Sequence, residues 1–323
     1  MRLGLAPAVP ADIPSPDRDC PDRDYPDLDY IADRPTPASP SAQREDLETI
    51  EISLLLEAIR RRWGYDFSHY SQASVRRRLD QARRAAGLAH FGEAITRVLR
   101  DEAFFDRLLR TMSVTVTEMF RDPPCYRAMR ERLVPVFKTF PFVKIWCAGC
   151  ATGEEVYSLA ILLHEEGYLQ RARLYGTDFN RASLDTAEKG IYPKRLMATY
   201  ADTYRQAGGR ADLADYYSAS YDFVRMKGFL RDRITFSYHN LVTDGVFGEM
   251  NLITCRNVLI YFDKTLQERV LHLFAQSLRH GGFLCLGARE SLKFSAIGHH
   301  FEALDGQRYI YRKNAHDGGG IRS

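Results

Sequence analysis

Apolar positions in the first half of the chain recur at helical spacing. Leu54, Leu55, Ala58 and Ile59 form one stripe, Phe91, Ala94, Ile95 and Val98 a second, and Phe104, Phe105, Leu108 and Leu109 a third. This rhythm predicts an all-helical segment over residues 46–130. Beyond Phe137 the period changes. Phe142, Val143, Ile145 and Trp146 suit a strand covered on both faces. Gly149, Ala151, Thr152 and Gly153 then allow a sharp turn and a close backbone approach. Glu154 and Glu155 open a helix whose apolar residues are Val156, Leu159, Ala160 and Leu163. Further strand-like runs end at Asp178, at His239-Asn240-Leu241 and in the Asn251–Phe262 stretch. The last leads into an amphipathic helix stopped by glycine. Strands alternating with helices in this way predict a doubly wound α/β sheet behind an all-α N-terminal domain.

The strand–glycine loop–helix corner is where such sheets hold nucleotides. A phosphate would want a helix terminus free to attract an anion, and here two carboxylates occupy it. The loop also lacks the dinucleotide and P-loop spacings. A ligand carrying a positive charge and hydroxyl donors fits better, and S-adenosylmethionine offers an ammonium, a sulfonium and two ribose hydroxyls. The plainer alternative is a helix terminus stabilised by acidic residues in an ordinary α/β protein. Asp178 lies about 25 residues beyond Gly153 at a strand end, where an acid accepts bonds from ribose hydroxyls. Asp is equally a common turn residue and N-cap.

Four strings, CAGCATGEEVYSLAILLHE, TDFNRASLDTAEKGIYP, CRNVLIYF and GGFLCLGARESL, together resemble the CheR-type chemotaxis methyltransferases, which use S-adenosylmethionine to methylate receptor glutamates. The similarity runs upstream through SVTVTEMFRDP and covers roughly Asp46 to Lys313. It implies a Rossmann-like methyltransferase domain over residues 131–313, with a small antiparallel β-subdomain inserted at about 191–235. It also implies roles for individual positions. Arg121 would pair with the cofactor carboxylate, and Thr117 and Thr115 would add hydroxyl bonds, although Thr115 stands where some members have asparagine. Glu155, or alternatively Glu154, would receive the ammonium, and Asp178 the ribose. Asn240, Leu241, Arg256 and Asn257 would line the adenine and ribose side. Arg256 and Tyr261 are the candidate catalytic donors to a substrate carboxylate; the plainer alternatives are a structural ion pair for Arg256 and packing for Tyr261. Asn251 replaces the commoner aspartate ahead of the CRN string, a change expected to be tolerated.

The resemblance also gives a reading to SVRRRLDQARRAAG. A helix dense in arginine is ordinarily a solvated face, but CheR-type enzymes dock this domain on acidic methylation helices. Arg76, Arg77, Arg83 and Arg84 are therefore candidate receptor contacts. Pentapeptide-binding members carry a longer, glycine-containing loop in the β-subdomain. The segment from Tyr217 to Val224 has no glycine, so a pentapeptide tether is not expected. Other readings are a methyltransferase for another protein, or an S-adenosylmethionine-binding signalling module.

Composition narrows this little further. Formal net charge is +3, which gives no overall signal for nucleic acid. No apolar run could span a membrane, no secretory leader is visible, and the six cysteines form no disulfide framework, so a cytoplasmic protein is expected. Cys147 and Cys150 form a C-x-x-C without a second pair; small loop residues are the simpler role than a metal site, and no metal is expected. Residues 1–45 hold nine of the fourteen prolines among scattered aspartates and read as a disordered tail, with a flexible C-terminus at 314–323.

Overall fold

The computed structural model describes residues 40–113, 117–304 and 310–314, with side chains from Leu47 onward. The expectations for residues 1–39 and 315–323 lie outside these. The chain divides into two units, Met1–Asp46 and Leu47–Ser323, and the packing below belongs to the second. Four helices come first: α1 (Pro40–Trp63), α2 (Gln72–Ala85), α3 (Phe91–Arg100) and α4 (Glu102–Met112). Helix α1 starts at Pro40, so residues 40–45 are helical where disorder was expected. The caps follow from local chemistry. Glu93 accepts the Ala89 and His90 N–H groups ahead of α3, and Asp101 accepts the Phe104 N–H at the start of α4. Leu55, Ile59, Phe91, Val98, Phe104 and Phe105 from the three stripes join Val75 and Leu79 in one core, whereas Leu54 is exposed.

The helical domain ends earlier than the periodicity suggested. Helices α5 (Pro123–Ala128) and α6 (Val134–Phe137), joined by a π-helical turn at Met129–Leu133, pack into the core of the sheet domain instead. Amphipathic spacing marks an apolar face without saying which core it meets, and that is why the boundary at 130 fails.

The main sheet holds β1 (Val143–Ala148), β2 (Ala172–Asp178), β6 (Ile234–Tyr238), β7 (Met250–Cys255), β8 (Leu278–Leu286), β9 (Phe301–Ala303) and β10 (Ile310–Lys313), in the order β6-β2-β1-β7-β8-β10-β9. Strands β6, β2, β1, β7 and β8 run parallel, and β10 and β9 are antiparallel. Helix α7 (Glu154–Glu165) connects β1 to β2, α8 (Arg181–Lys189) follows β2, and α11 (Lys264–Ser277) connects β7 to β8. Both sheet faces are covered by apolar cores, one built on α7 and the other on α11. Phe142 departs from expectation: it precedes β1 and is 45% exposed. Between β2 and β6 sit β3 (Ile191–Pro193), α9 (Met197–Gln206), β4 (Tyr217–Ser220), β5 (Phe223–Met226) and α10 (Gly228–Arg231). Strands β3, β5 and β4 form a separate antiparallel sheet, with a hairpin turning at Tyr221-Asp222. Ile234 to Tyr238 belongs to the main sheet, paired with β2. The parallel order brings the ends of β6, β2, β1 and β7 to one edge.

Candidate active site

A pocket lies at that edge, walled by the loops after β1, β2, β6 and β7 and roofed by the helical domain through Tyr70, Ser74, Val75, Arg78, Met112 and Ser113. The roof is fastened by specific contacts. Ser71 donates its N–H to the Tyr261 carbonyl at 2.7 Å, and Asp263 donates to the His69 carbonyl at 2.8 Å. His69 Nδ1 meets Asp263 Oδ2 at 2.9 Å, and the Tyr70 and Phe262 rings pack edge-on at 5.0 Å.

The floor is the glycine loop. Gly149, Ala151 and Gly153 all have positive φ, at 72°, 47° and 92°. The Gly149 and Cys150 N–H groups donate to the Thr177 carbonyl, tying the loop to β2. A Cβ at Gly149 would stand 2.6 Å from a Val258 methyl, so only glycine lets the β7 loop close over this floor. Asp178 is buried at the end of β2. Its Oδ2 accepts the Ala151 N–H and its Oδ1 the Asn180 N–H, both at 2.9 Å. Burial raises its pKa, and those N–H bonds oppose the rise.

Two acids at the start of α7 have different fates. Glu155 lines the pocket and accepts from Thr254 Oγ1 at 2.5 Å and from Arg256 at 3.1 Å. Glu154 turns into the protein, accepts from Thr152 Oγ1 at 2.7 Å, and is lifted by burial to about 7. Of the pair, Glu155 is the one in the pocket. Arg256 bridges Glu155 to the Asp122 carboxylate, at 2.8 Å, and to the Arg121 carbonyl, at 2.7 Å. Its side chain is 2% exposed and its terminal nitrogens are engaged. Arg256 lines the pocket, and this geometry fits a clamp that orients Glu155 and the Arg121-Asp122 turn.

The remaining expected residues distribute as follows. Thr117, Arg121, Asn240, Leu241, Asn257 and Tyr261 line the pocket, and Thr115 lies outside the described residues. The Asn240 side chain also caps a turn by accepting the Val242 N–H at 3.0 Å. Asn251 accepts the Lys144 N–H at 2.9 Å, a strand-to-strand tie away from the pocket. Cys147 and Cys150 are buried free thiols raised by desolvation. Among the described residues no group of three or more His, Cys, Asp or Glu side chains could hold a metal ion, and no helix is long and apolar enough to cross a membrane.

Periodicity did not single out Arg78. It lines the pocket, reaches Ser74 Oγ at 3.3 Å and the Thr111 carbonyl at 3.2 Å, and lies over the Tyr261 ring at 5.3 Å. Burial lowers its pKa. On a helical wheel Arg78 adjoins the buried stripe Val75, Leu79 and Ala82, whereas Arg77 and Arg84 share an outer face; that separation was available in the sequence. The four arginines expected at the receptor also divide. Arg77 and Arg84 are exposed, Arg84 pairing with Asp80 at 2.8 Å, and Arg76 pairs with Glu48 at 2.5 Å. Arg83 donates to the Leu88 and Ala89 carbonyls at 2.8 and 2.9 Å and pairs with Asp80, which makes it a tie at the end of α2. Glu290 also went unnoticed; its carboxylate accepts four backbone N–H groups behind the pocket wall.

Comparison with known proteins matches this arrangement. The family model for the CheR methyltransferase SAM-binding domain covers residues 115–310, and the model for the CheR all-alpha domain covers 50–113. The chain belongs to the CheR methyltransferase family. It is 50% identical to the putative methyltransferase Cher3 of Pseudomonas putida over 82% of this chain and 97% of that one. The chemotaxis protein methyltransferases of Listeria monocytogenes and Klebsiella aerogenes are 27% and 28% identical, over 72% and 80% of this chain and 87% and 89% of theirs. The CheR domain boundary near residue 114 agrees with the end of α4 and the separate packing of α5 and α6. The donor set suits S-adenosylmethionine: acceptors Glu155 and Asp178 for its ammonium and hydroxyls, and Arg121 for its carboxylate. The buried Asn257 Oδ1, which has no hydrogen-bond partner among the described residues, adds an acceptor on the same wall.

Proposed function

We propose that this CheR-family methyltransferase transfers a methyl group to the γ-carboxylate of glutamates on the cytoplasmic methylation helices of a chemoreceptor, forming a methyl ester and S-adenosylhomocysteine. The observation that carries the reading is Arg78 on the pocket roof over Tyr261. A half-buried guanidinium and a phenol lining one pocket supply the donors that a carboxylate substrate needs.

S-adenosylmethionine, when bound, supplies an electrophilic methyl on a sulfonium. The protein's part is positional. A glutamate is ionised at neutral pH, so the site needs no general base. Arg78 and Tyr261 orient the carboxylate oxygen and the roof excludes water from it. Arg256 acts one step back by fixing Glu155 and the Arg121-Asp122 turn; Glu155 takes the ammonium, Arg121 and Thr117 the carboxylate, and Asp178 the ribose. Asn240, Leu241 and Asn257 complete the cofactor wall, and the family resemblance assigns Thr115 a cofactor contact. Arg77 and Arg84 form the exposed docking face for acidic receptor helices, and the β-subdomain works without a pentapeptide tether in a cytoplasmic enzyme. The relatives named chemotaxis protein methyltransferase support this substrate class. The test is transfer of tritiated methyl groups to a receptor cytoplasmic fragment, with free glutamate and succinate as competitors. Labelling of the fragment that excess free carboxylate leaves unchanged supports the reading; labelling of the small acids alone removes it.

A further inference from the structure

Glu290 stands apart from every residue assigned above, since it reaches the pocket only through backbone. It follows β8, is 8% exposed, and accepts the N–H groups of Asn257 at 3.0 Å, Val258 at 2.9 Å, Leu259 at 2.8 Å and Gly287 at 2.6 Å. Four donors on one buried carboxylate form an anion nest whose occupant is part of the chain. Three of these donors are consecutive residues of the β7 loop. Asn257 there holds φ of 61°, which a non-glycine residue keeps only when its surroundings enforce it. Val258 packs on Gly149 of the cofactor floor, and Leu259 begins the short helix that ends in Tyr261. Gly287 is equally constrained, since a Cβ there would lie 2.7 Å from Glu290 Oε2 and 2.9 Å from the Asn257 nitrogen.

We propose that Glu290 is a positioning residue of the methyl-transfer site, whose carboxylate organises the Asn257–Leu259 turn so that Asn257, Val258 and Tyr261 together form one wall of the pocket. The proposal rests on the cofactor reading above and adds to it a residue that touches neither cofactor nor substrate. Replacing the carboxylate by an amide turns one acceptor oxygen into a donor facing N–H groups. The turn then loses the bonds that hold Asn257 at positive φ. A purely structural clamp would lower stability without altering the pocket, so the test needs a matched control. Glu165 is another well-bonded carboxylate, accepting from the Tyr204 and Tyr216 hydroxyls and the Arg210 N–H beneath the β-subdomain, away from the pocket.

The experiment is isothermal titration of the full chain with S-adenosylhomocysteine for wild type, Glu290→Gln and Glu165→Gln, with melting temperatures for all three. The expected result is at least a tenfold rise in Kd for Glu290→Gln, and a Kd within twofold of wild type for Glu165→Gln at a comparable fall in melting temperature. Glu290→Gln that is folded and within twofold of wild type overturns the proposal, as does equal weakening by both variants. If Glu290→Gln does not fold, Glu290→Asp decides: the shorter carboxylate cannot reach all four donors, so a raised Kd supports the proposal and an unchanged one overturns it. A wild-type protein that fails to bind is a separate result, which removes the cofactor reading and this proposal together.

Discussion

Replacing Asp178 by Asn perturbs the centre of the pocket while keeping its shape. The carboxylate receives the Ala151 and Asn180 N–H groups at 2.9 Å on different oxygens and is 9% exposed. An amide keeps one acceptor, and its NH2 group must face one of those two donors. One backbone N–H is then buried unpaired, a cost of about 1–3 kcal/mol. For a domain of this size that corresponds to a fall in melting temperature of roughly 2–10 °C. Ligand binding suffers separately. A charged acceptor for ribose hydroxyls contributes about 1.5–3 kcal/mol, which is roughly a tenfold to hundredfold rise in the Kd for S-adenosylhomocysteine. Isothermal titration gives the Kd, and thermal melting with and without ligand separates the two effects. A folded Asp178→Asn protein whose Kd stays within twofold of wild type would refute the ribose assignment and leave Asp178 as a loop tie.

Four further outcomes follow from the geometry. Arg78→Ala should lower kcat/KM for a receptor fragment by roughly ten- to a hundredfold with S-adenosylhomocysteine affinity within twofold, because the lost contact is to the carboxylate substrate; weakened cofactor binding would move Arg78 to the other side of the pocket. Tyr261→Phe should lower turnover and spare cofactor affinity, and normal turnover would leave Tyr261 as packing. Arg77→Glu with Arg84→Glu should raise the receptor KM several-fold at low salt and less at high salt, whereas Arg83→Ala should mainly lower the melting temperature; no salt dependence would return that face to ordinary solvation. Glu154, lifted to about 7 from 4.5 by burial, binds a proton in the folded state that the unfolded chain releases. Its contribution is complete below pH 4.5 and is lost as pH rises through about 7, on the order of 3 kcal/mol. Glu154→Gln should flatten that decline in a melting series from pH 5 to 8, and parallel curves for the two proteins would contradict the assignment.

Local chemistry and remote packing account for what the chain disclosed and what it withheld. The cofactor corner was readable because its signals are contiguous: a buried strand, a loop needing positive φ, and a helix opening on two acids. The preference for Glu155 over Glu154 came from the family resemblance and not from local pattern, because Glu155 is held by Thr254 and Arg256, about a hundred residues away. Arg256 looked like a substrate donor for the same reason, since Asp122 lies on a different element. Arg83 and Arg84 are neighbours with opposite environments, and only the Leu88 and Ala89 carbonyls explain why one is tied down. Glu290 was unreadable at any window length, because it contacts main chain some thirty residues upstream and backbone donors leave no residue-type signature. Helical periodicity, read as far as residue 130, covered α5 without revealing its partner and stopped short of α6; their attachment to the sheet core appears only in tertiary packing.

The most direct test of the central claim is chemical identification of the product. Wild-type protein, tritiated S-adenosylmethionine and a receptor cytoplasmic fragment should give label on glutamate side chains that mild alkali releases as volatile methanol, with a mass increase of one methyl group on those residues. Label that resists alkali, or mass increments confined to other residue types, would contradict a carboxylate methyltransferase whatever the cofactor affinity.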